Sequence, residues 1–246
     1  WAASDVYKRQ IPASTIESLK KLKEKGIKIF VATGRGKDGL DILDEIEFDG
    51  YITLNGQYCY VDNQIIYENT IKRDDLQKLL NYLEDHPFPC GFTEEHNKYF
   101  NLRDARVDEI HRITLNDDHP AGDCSDVVNK KIYQCMCFID EQEEQKLMQI
   151  MPNCISARWH PLFCDVSPKG GTKQNGIDKF LDFYHIDRNE TMAFGDGGND
   201  IEMLQHVALS VAMENGNDKV KEIADYVTAD VDEDGILKAL QYFSIL

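Results

Sequence analysis

From Pro12 onward the apolar residues recur at helical spacing. Ile16, Leu19 and Leu22 form one stripe among lysines, and Gly26 follows as a left-handed stop. Residues 27–32 (IKIFVA) then read as a strand buried on both faces. A second helix-like stretch covers 38–47, and residues 51–54 read as another buried strand. This alternation predicts a parallel sheet with crossover helices. The pattern changes after Asn55-Gly56, where residues 58–61, a turn at Asp62-Asn63, and residues 65–67 read as a hairpin. Helices near 74–84, 104–112 and 141–150 are interleaved with strands near 92–94, 99–102, 131–139 and 155–159. That mixture predicts a separate α+β unit of about 100 residues. Regular alternation returns after Asp165. Helices at 172–184, 199–206, 218–224 and 235–243 alternate with strands at 191–194, 209–213 and 226–228.

The simplest architecture is α/β: a Rossmann-like parallel-sheet core interrupted by an inserted α+β domain. The core is expected at 1–57 and 167–246, and the insert at 58–166. Residues 1–10 (WAASDVYKRQ) have neither helical nor strand periodicity and contain no methionine. They read as foreign text, such as a translated adapter or assembly artefact, joined to the fold at Ile11.

Composition narrows the function. With 42% hydrophobic residues in 246, the chain can bury a core. A formal net charge of -17, spread along the whole sequence, argues against nucleic acid or an anionic membrane surface as partner. An acidic protein that handles phosphate needs a local positive device: a metal ion, a lysine or a helix N-terminus. The seven cysteines include no Cys-x-x-Cys pair, and Cys135 and Cys137 fall on one face of a predicted strand, as buried thiols rather than zinc ligands. A reducing cytoplasm is the expected setting. No apolar run approaches the roughly 18 residues that span a bilayer.

Three strings can carry chemistry. Gly195-Asp196-Gly197-Gly198-Asn199-Asp200 follows a predicted buried strand and precedes a helix. Ligands of open α/β sheets gather there, beyond the carboxyl ends of strands. Asp196 and Asp200 would make a hard oxygen site suited to Mg²⁺, or else an acidic turn capping the next helix. Thr33-Gly34-Arg35 also ends a buried strand, where a hydroxyl and backbone N–H groups can hold phosphate. Lys173 opens a predicted helix, adding its charge to the helix's positive end, with Lys169 as competitor.

Taken in order, Thr33-Gly34-Arg35, an insert, Lys173 before a helix, and the 195–200 string resemble motifs two, three and four of the haloacid dehalogenase superfamily. Asn55-Gly56 and the position of the insert resemble the Cof-type subfamily IIB, with a C2-type α+β cap. The resemblance covers residues 11–246. It implies a Mg²⁺-dependent phosphatase working through an aspartyl-phosphate, acting on a small phosphorylated metabolite such as a sugar phosphate. By the same resemblance, Thr33 and Gly34 would hold the phosphoryl oxygens and Asn199 would contact them. Lys173 would orient the nucleophile and offset charge, Asp196 would bind Mg²⁺, and Asp200 would bind or support it. Cap side chains would select the substrate.

One departure matters. The family's Asp-x-Asp-Gly-Thr belongs on a strand upstream of Ile11, and no such string is present. Asp5, the one carboxylate before Glu17, lacks the partner two residues on. The chain as written is therefore expected to be nearly inactive. A phosphomutase or a non-catalytic phosphate-ester binder are the alternatives. Other strings mimic known sites. Gly34-Arg35-Gly36-Lys37-Asp38-Gly39 imitates a dinucleotide fingerprint, but Asn55 stands where its acidic residue should be. Asp230-Val231-Asp232-Glu233-Asp234-Gly235 imitates half a calcium loop with Gln241 in the closing position. Trp159-His160-Pro161, and the separated His86, His96 and His111, read as ordinary structural residues.

Overall fold

In a computed structural model, residues 11–37, 40, 43, 45–114 and 119–246 are described. Asp5 with the rest of residues 1–10, most of the helix expected at 38–47, Asp38 and Gly39 of the dinucleotide mimic, and the Trp159 side chain lie outside them. The chain divides into two compact units, one running to Glu68 and resuming at Thr172–Leu246, the other Asn69–Gly171.

The first unit opens with α1 (Ala13–Glu24), which buries Leu19 and Leu22. It ends in a Schellman turn: Gly26 N–H donates to Lys23 O and Ile27 N–H to Leu22 O, with Gly26 at φ +76°. Strand β1 (Phe30–Ala32) runs parallel to β2 (Gly50–Thr53). Between them, Lys37, Leu40, Leu43 and Ile46 are joined by successive i to i+3 backbone bonds.

The hairpin β3 (Tyr58–Val61) and β4 (Gln64–Glu68) pairs antiparallel with β2, giving the order β1-β2-β3-β4. This corrects the expected start of the insert. The hairpin belongs to the core sheet, so the boundary falls after Glu68 rather than Gln57, and the return falls after Gly171 rather than Val166. A hairpin carries no local mark of the strand it will join, which is why its pattern misled.

After the second unit the chain continues through α5 (Lys173–Tyr184), β10 (Met192–Gly195), α6 (Ile201–His206), β11 (Leu209–Ala212), α7 (Asp218–Ile223), β12 (Tyr226–Val227) and α8 (Gly235–Tyr242). Strands β10, β11 and β12 are all parallel. One apolar cluster joins both sheets of this unit: Ala32, Ile52 and Cys59 meet Phe180 of α5, Ala193, Met203, Leu204, Ala212 and Val220. The calcium-loop mimic forms a short 3-10 turn in which Asp230 accepts from Asp232 N–H.

The second unit is built on five antiparallel strands in the order β6-β5-β7-β9-β8: β5 (Cys90–Thr93), β6 (Lys98–Phe100), β7 (Gln134–Cys137), β8 (Cys154–His160) and β9 (Phe163–Pro168). Strand β9 was not anticipated. The insert was expected to end at Val166 with no strand at 163–168, yet this segment lies between β7 and β8. Helices α2 (Arg73–Asp85) and α4 (Glu141–Ile150) cover one face, where Leu76, Leu79, Leu83 and Leu147 pack on Phe92, Cys135, Cys137, Cys164 and Val166. Helix α3 (Ala105–Thr114) serves the other, with Val107 and Ile110 against Phe100, Met136, Phe138 and Phe163. Cys135 and Cys137 thus share one face as buried thiols, and all seven cysteines are buried and unbridged.

Helix α5 approaches the core sheet closely at Gly176. A Cβ there would lie 2.5 Å from Ile52 Cγ2 and 3.2 Å from Cys59 Sγ. Replacing Gly176 by Ala gains about 1 kcal/mol of helix propensity but overpacks the contact at a cost of about 1–3 kcal/mol. The expected result of Gly176→Ala is a lower thermal midpoint. A raised midpoint would mean the helix–sheet contact is looser than described.

Candidate active site

The carboxyl ends of β1, β2 and β10, with the N-terminus of α5, bring the three strings together in the first unit. After β1, Thr33 N–H donates to Ile52 O at 2.8 Å, which keeps this residue in line with β2. The Thr33 hydroxyl accepts from Arg35 N–H at 3.1 Å, so its own proton is left to donate outward.

After β2 comes a turn with three successive left-handed residues: Leu54 (φ +51°), Asn55 (φ +56°) and Gly56 (φ +92°). Asn55 N–H donates to Thr33 O at 3.0 Å, and Leu54 N–H to Arg35 O at 3.0 Å. The Asn55 side-chain oxygen accepts from Asn199 Nδ2 at 2.8 Å.

Thr172 caps α5, its hydroxyl accepting from Asn175 N–H at 3.2 Å, so Lys173 is the first helical residue. Its ammonium is buried, 2.6 Å from Asp200 Oδ1. The other oxygen of Asp200 accepts from the N–H groups of Asp196 and Gly197, each at 3.0 Å. Asp200 is fully buried, and its charge is met by one cation and two backbone donors. Lys169, the competitor, lies in the other unit, where its N–H donates to Asn153 O.

Asp196 is only partly covered. Burial, then the neighbouring Asp200 charge, pushes its carboxyl up to about 6, against the opposing pull of Lys173. Asn217 N–H donates to Asp196 O at 3.1 Å, and a Cβ on Gly216 would sit 3.1 Å from the Asp196 Cα. The sequence reading overlooked Gly216-Asn217. Their signal was available, since they follow β11, which is parallel to β10, and Asn217 caps α7.

The structure thus brings together Thr33, Gly34, Lys173, Asp196, Asn199 and Asp200. Among the described residues no group of three or more His, Cys, Asp or Glu forms a ready-made metal cage. Mg²⁺ does not require one, because it is commonly held by one or two carboxylates, with waters and phosphate completing the shell.

A family model described as haloacid dehalogenase-like hydrolase matches residues 6–240. The chain belongs to this family. It is 34% identical over 245 residues to a Bacillus subtilis protein named "Putative phosphatase YkrA", covering 98% of this chain and 93% of that one. Among solved structures it resembles the subclass IIB sugar phosphatase BT4131, at 40% identity and TM-score 0.84, covering 98% of this chain and 95% of the other. It also resembles BT1666 of Bacteroides thetaiotaomicron, a haloalkanoate-superfamily phosphatase, at 35% identity and TM-score 0.90, with 98% and 90% covered. These likenesses bear out the α/β haloacid dehalogenase fold expected from motif order.

Two outcomes follow from the geometry. Lys173→Met leaves Asp200 buried without its cation and should cost about 3–5 kcal/mol in denaturant unfolding. Adding Asp200→Asn, which removes the stranded charge, should recover part of that loss, whereas further destabilisation would mean the pair is not the electrostatic unit described. The second outcome concerns pH. A carboxyl whose folded value is raised from 3.8 to about 6 contributes stability that is full below about 4 and is lost as pH rises through 6. In metal-free protein, the midpoint advantage of Asp196→Asn over the parent should therefore grow across that window. A constant difference would contradict the raised carboxyl of Asp196.

Proposed function

We propose that this chain is a phosphoric monoester hydrolase of the Cof-like type, acting on a small phosphorylated metabolite with Mg²⁺ as cofactor. A sugar phosphate is the substrate class that its similarity to BT4131 favours. The observation that carries the reading is the buried Lys173–Asp200 pair beneath Asp196, linked through the Asn199–Asn55 bond to Thr33. A hydroxyl, an ammonium at a helix N-terminus, a carboxamide and a carboxylate are thus joined by one chain of hydrogen bonds at neighbouring strand ends, the kinds of group that transfer of a phosphoryl group requires.

In this reading the Thr33 hydroxyl and the Gly34 backbone hold phosphoryl oxygens, and Asn199 contacts them from the facing turn. Lys173 holds its charge beside the developing negative charge. Asp196 would hold Mg²⁺, a reading supported by burial and the neighbouring Asp200 charge, which disfavour its ionised form until a cation balances it. Asp200 acts behind it, anchoring Lys173 and the N–H groups of the 195–200 turn. Bound there, Mg²⁺ would draw anionic carboxylate and phosphate together and polarise the phosphoryl oxygens.

The attacking carboxylate is assigned to none of the residues in this chain, since Asp5 lacks both the partner and the Gly-Thr of the family string. In this reading an Asp-x-Asp-Gly-Thr strand, placed as the resemblance implies, would supply the carboxylate that forms the aspartyl-phosphate. The buried, unbridged thiols fit a reducing, cytoplasmic setting. Among the described residues no helix is long and apolar enough to cross a membrane.

The test compares the chain as written with one carrying Asp-x-Asp-Gly-Thr on a strand before Ile11, using p-nitrophenyl phosphate and a panel of sugar phosphates. Turnover should be absent in the first and Mg²⁺-dependent in the second, and Lys173→Met in the repaired chain should cost about 10²–10³ in kcat. Phosphate-ester binding without hydrolysis by the repaired chain would instead favour a binding module. Interconversion of phosphosugars without phosphate release would favour a mutase.

A further inference from the structure

The left-handed turn Leu54-Asn55-Gly56 touches every part of the phosphate-handling apparatus. Its Asn55 N–H fixes the Thr33 carbonyl, and its Asn55 carboxamide holds Asn199. Gly34 lies hard against the same carboxamide, since a Cβ there would sit 3.1 Å from Asn55 Oδ1. On the other side, a Cβ on Gly56 would sit 2.0 Å from the Thr172 carbonyl oxygen and 3.2 Å from Lys173 N, so the turn is seated on the first turn of α5.

Such a turn is unfavourable in isolation. A leucine at φ +51° is an uncommon conformer that bears a steric penalty, whereas asparagine tolerates the region and glycine is indifferent to it. Burial of Leu54 offsets the strain, and the two backbone bonds to Thr33 and Arg35 hold the turn in place. Strain held by surrounding contacts at the meeting point of three motifs points to a positioning role.

We propose that Asn55 is a positioning residue. Its backbone sets Thr33 and its carboxamide orients Asn199, so that both present their donors to one phosphoryl group. The proposal builds on the phosphatase reading for its consequence, though not for its geometry. Asn55 has no covalent part in the reaction.

The test uses the chain as it stands, with inorganic phosphate as probe in the presence of Mg²⁺. Asn55→Gly tolerates the left-handed backbone and deletes the side chain with its carboxamide. It should free the Asn199 side-chain amide, read by nitrogen relaxation, and weaken phosphate binding about fivefold. Asn199→Ala should weaken binding comparably, and the double variant should bind no worse than Asn199→Ala alone. Asn55→Asp, which keeps the acceptor, should retain the restrained amide and controls for misfolding.

An Asn199 amide equally restrained in Asn55→Gly would overturn the proposal, as would additive losses in the double variant. If the amide is freed but the parent itself binds no phosphate, the positioning role stands and the phosphatase reading is what fails.

Discussion

A lysine ammonium and an aspartate carboxylate, both removed from water and 2.6 Å apart, organise the first unit. Neither charge could be buried alone, because an unpaired ion in the interior costs several kcal/mol even after relaxation. Together they are tolerated only because every nearby donor is aimed correctly. Thr172 starts α5 so that Lys173 points inward, and the glycine-rich turn after β10 gives two N–H groups to the second oxygen of Asp200. The tightness of Gly195 is part of the same arrangement, since a Cβ there would meet the Asp200 Cβ at 2.7 Å. The pair therefore fixes where α5 begins and how the 195–200 turn closes.

Above this pair, local rules of stability are broken in a consistent direction. Asp196 is held where burial and a like charge disfavour its ionised form, and the 54–56 turn is held in the left-handed region. Both features are costs to the folded chain, and both lie at strand ends where an open α/β sheet collects its ligands. A protein that spends stability at one such place is better explained by binding there than by packing. In the second unit the two helix-covered faces are apolar layers, and the one under α2 and α4 is rich in buried thiols.

Much of the site was readable because its pieces are local. A buried run followed by Thr33-Gly34, and another followed by the 195–200 string, mark the ends of parallel strands whatever their partners. Lys173 could be placed at the start of a helix from the apolar spacing over 172–184, while the Thr172 cap came from the structure. What required the structure was long-range pairing. The β3–β4 hairpin looks the same in sequence whether it joins the core or the insert, and only its register against Tyr51, Ile52 and Thr53 decides. Strand β9, with Asp165 in its middle and Pro168 at its end, lacks the unbroken apolar run that marks a buried strand. The choice between Lys173 and Lys169, and the separation of Asp196 from Asp200 into facing and anchoring carboxylates, depended on burial, which spacing does not encode. Asn55 was visible as part of a motif, while its bond to a residue 144 positions away was not.

The central claim is that these groups serve one phosphoryl site. It is tested most directly by a crystal structure of the chain grown with Mg²⁺ and tungstate, a phosphate mimic with strong anomalous scattering. The account predicts a single tungstate within hydrogen-bond distance of Thr33 Oγ1, Lys173 Nζ and Asn199 Nδ2, with the metal on Asp196. Tungstate bound elsewhere while this cluster stays unliganded would contradict it.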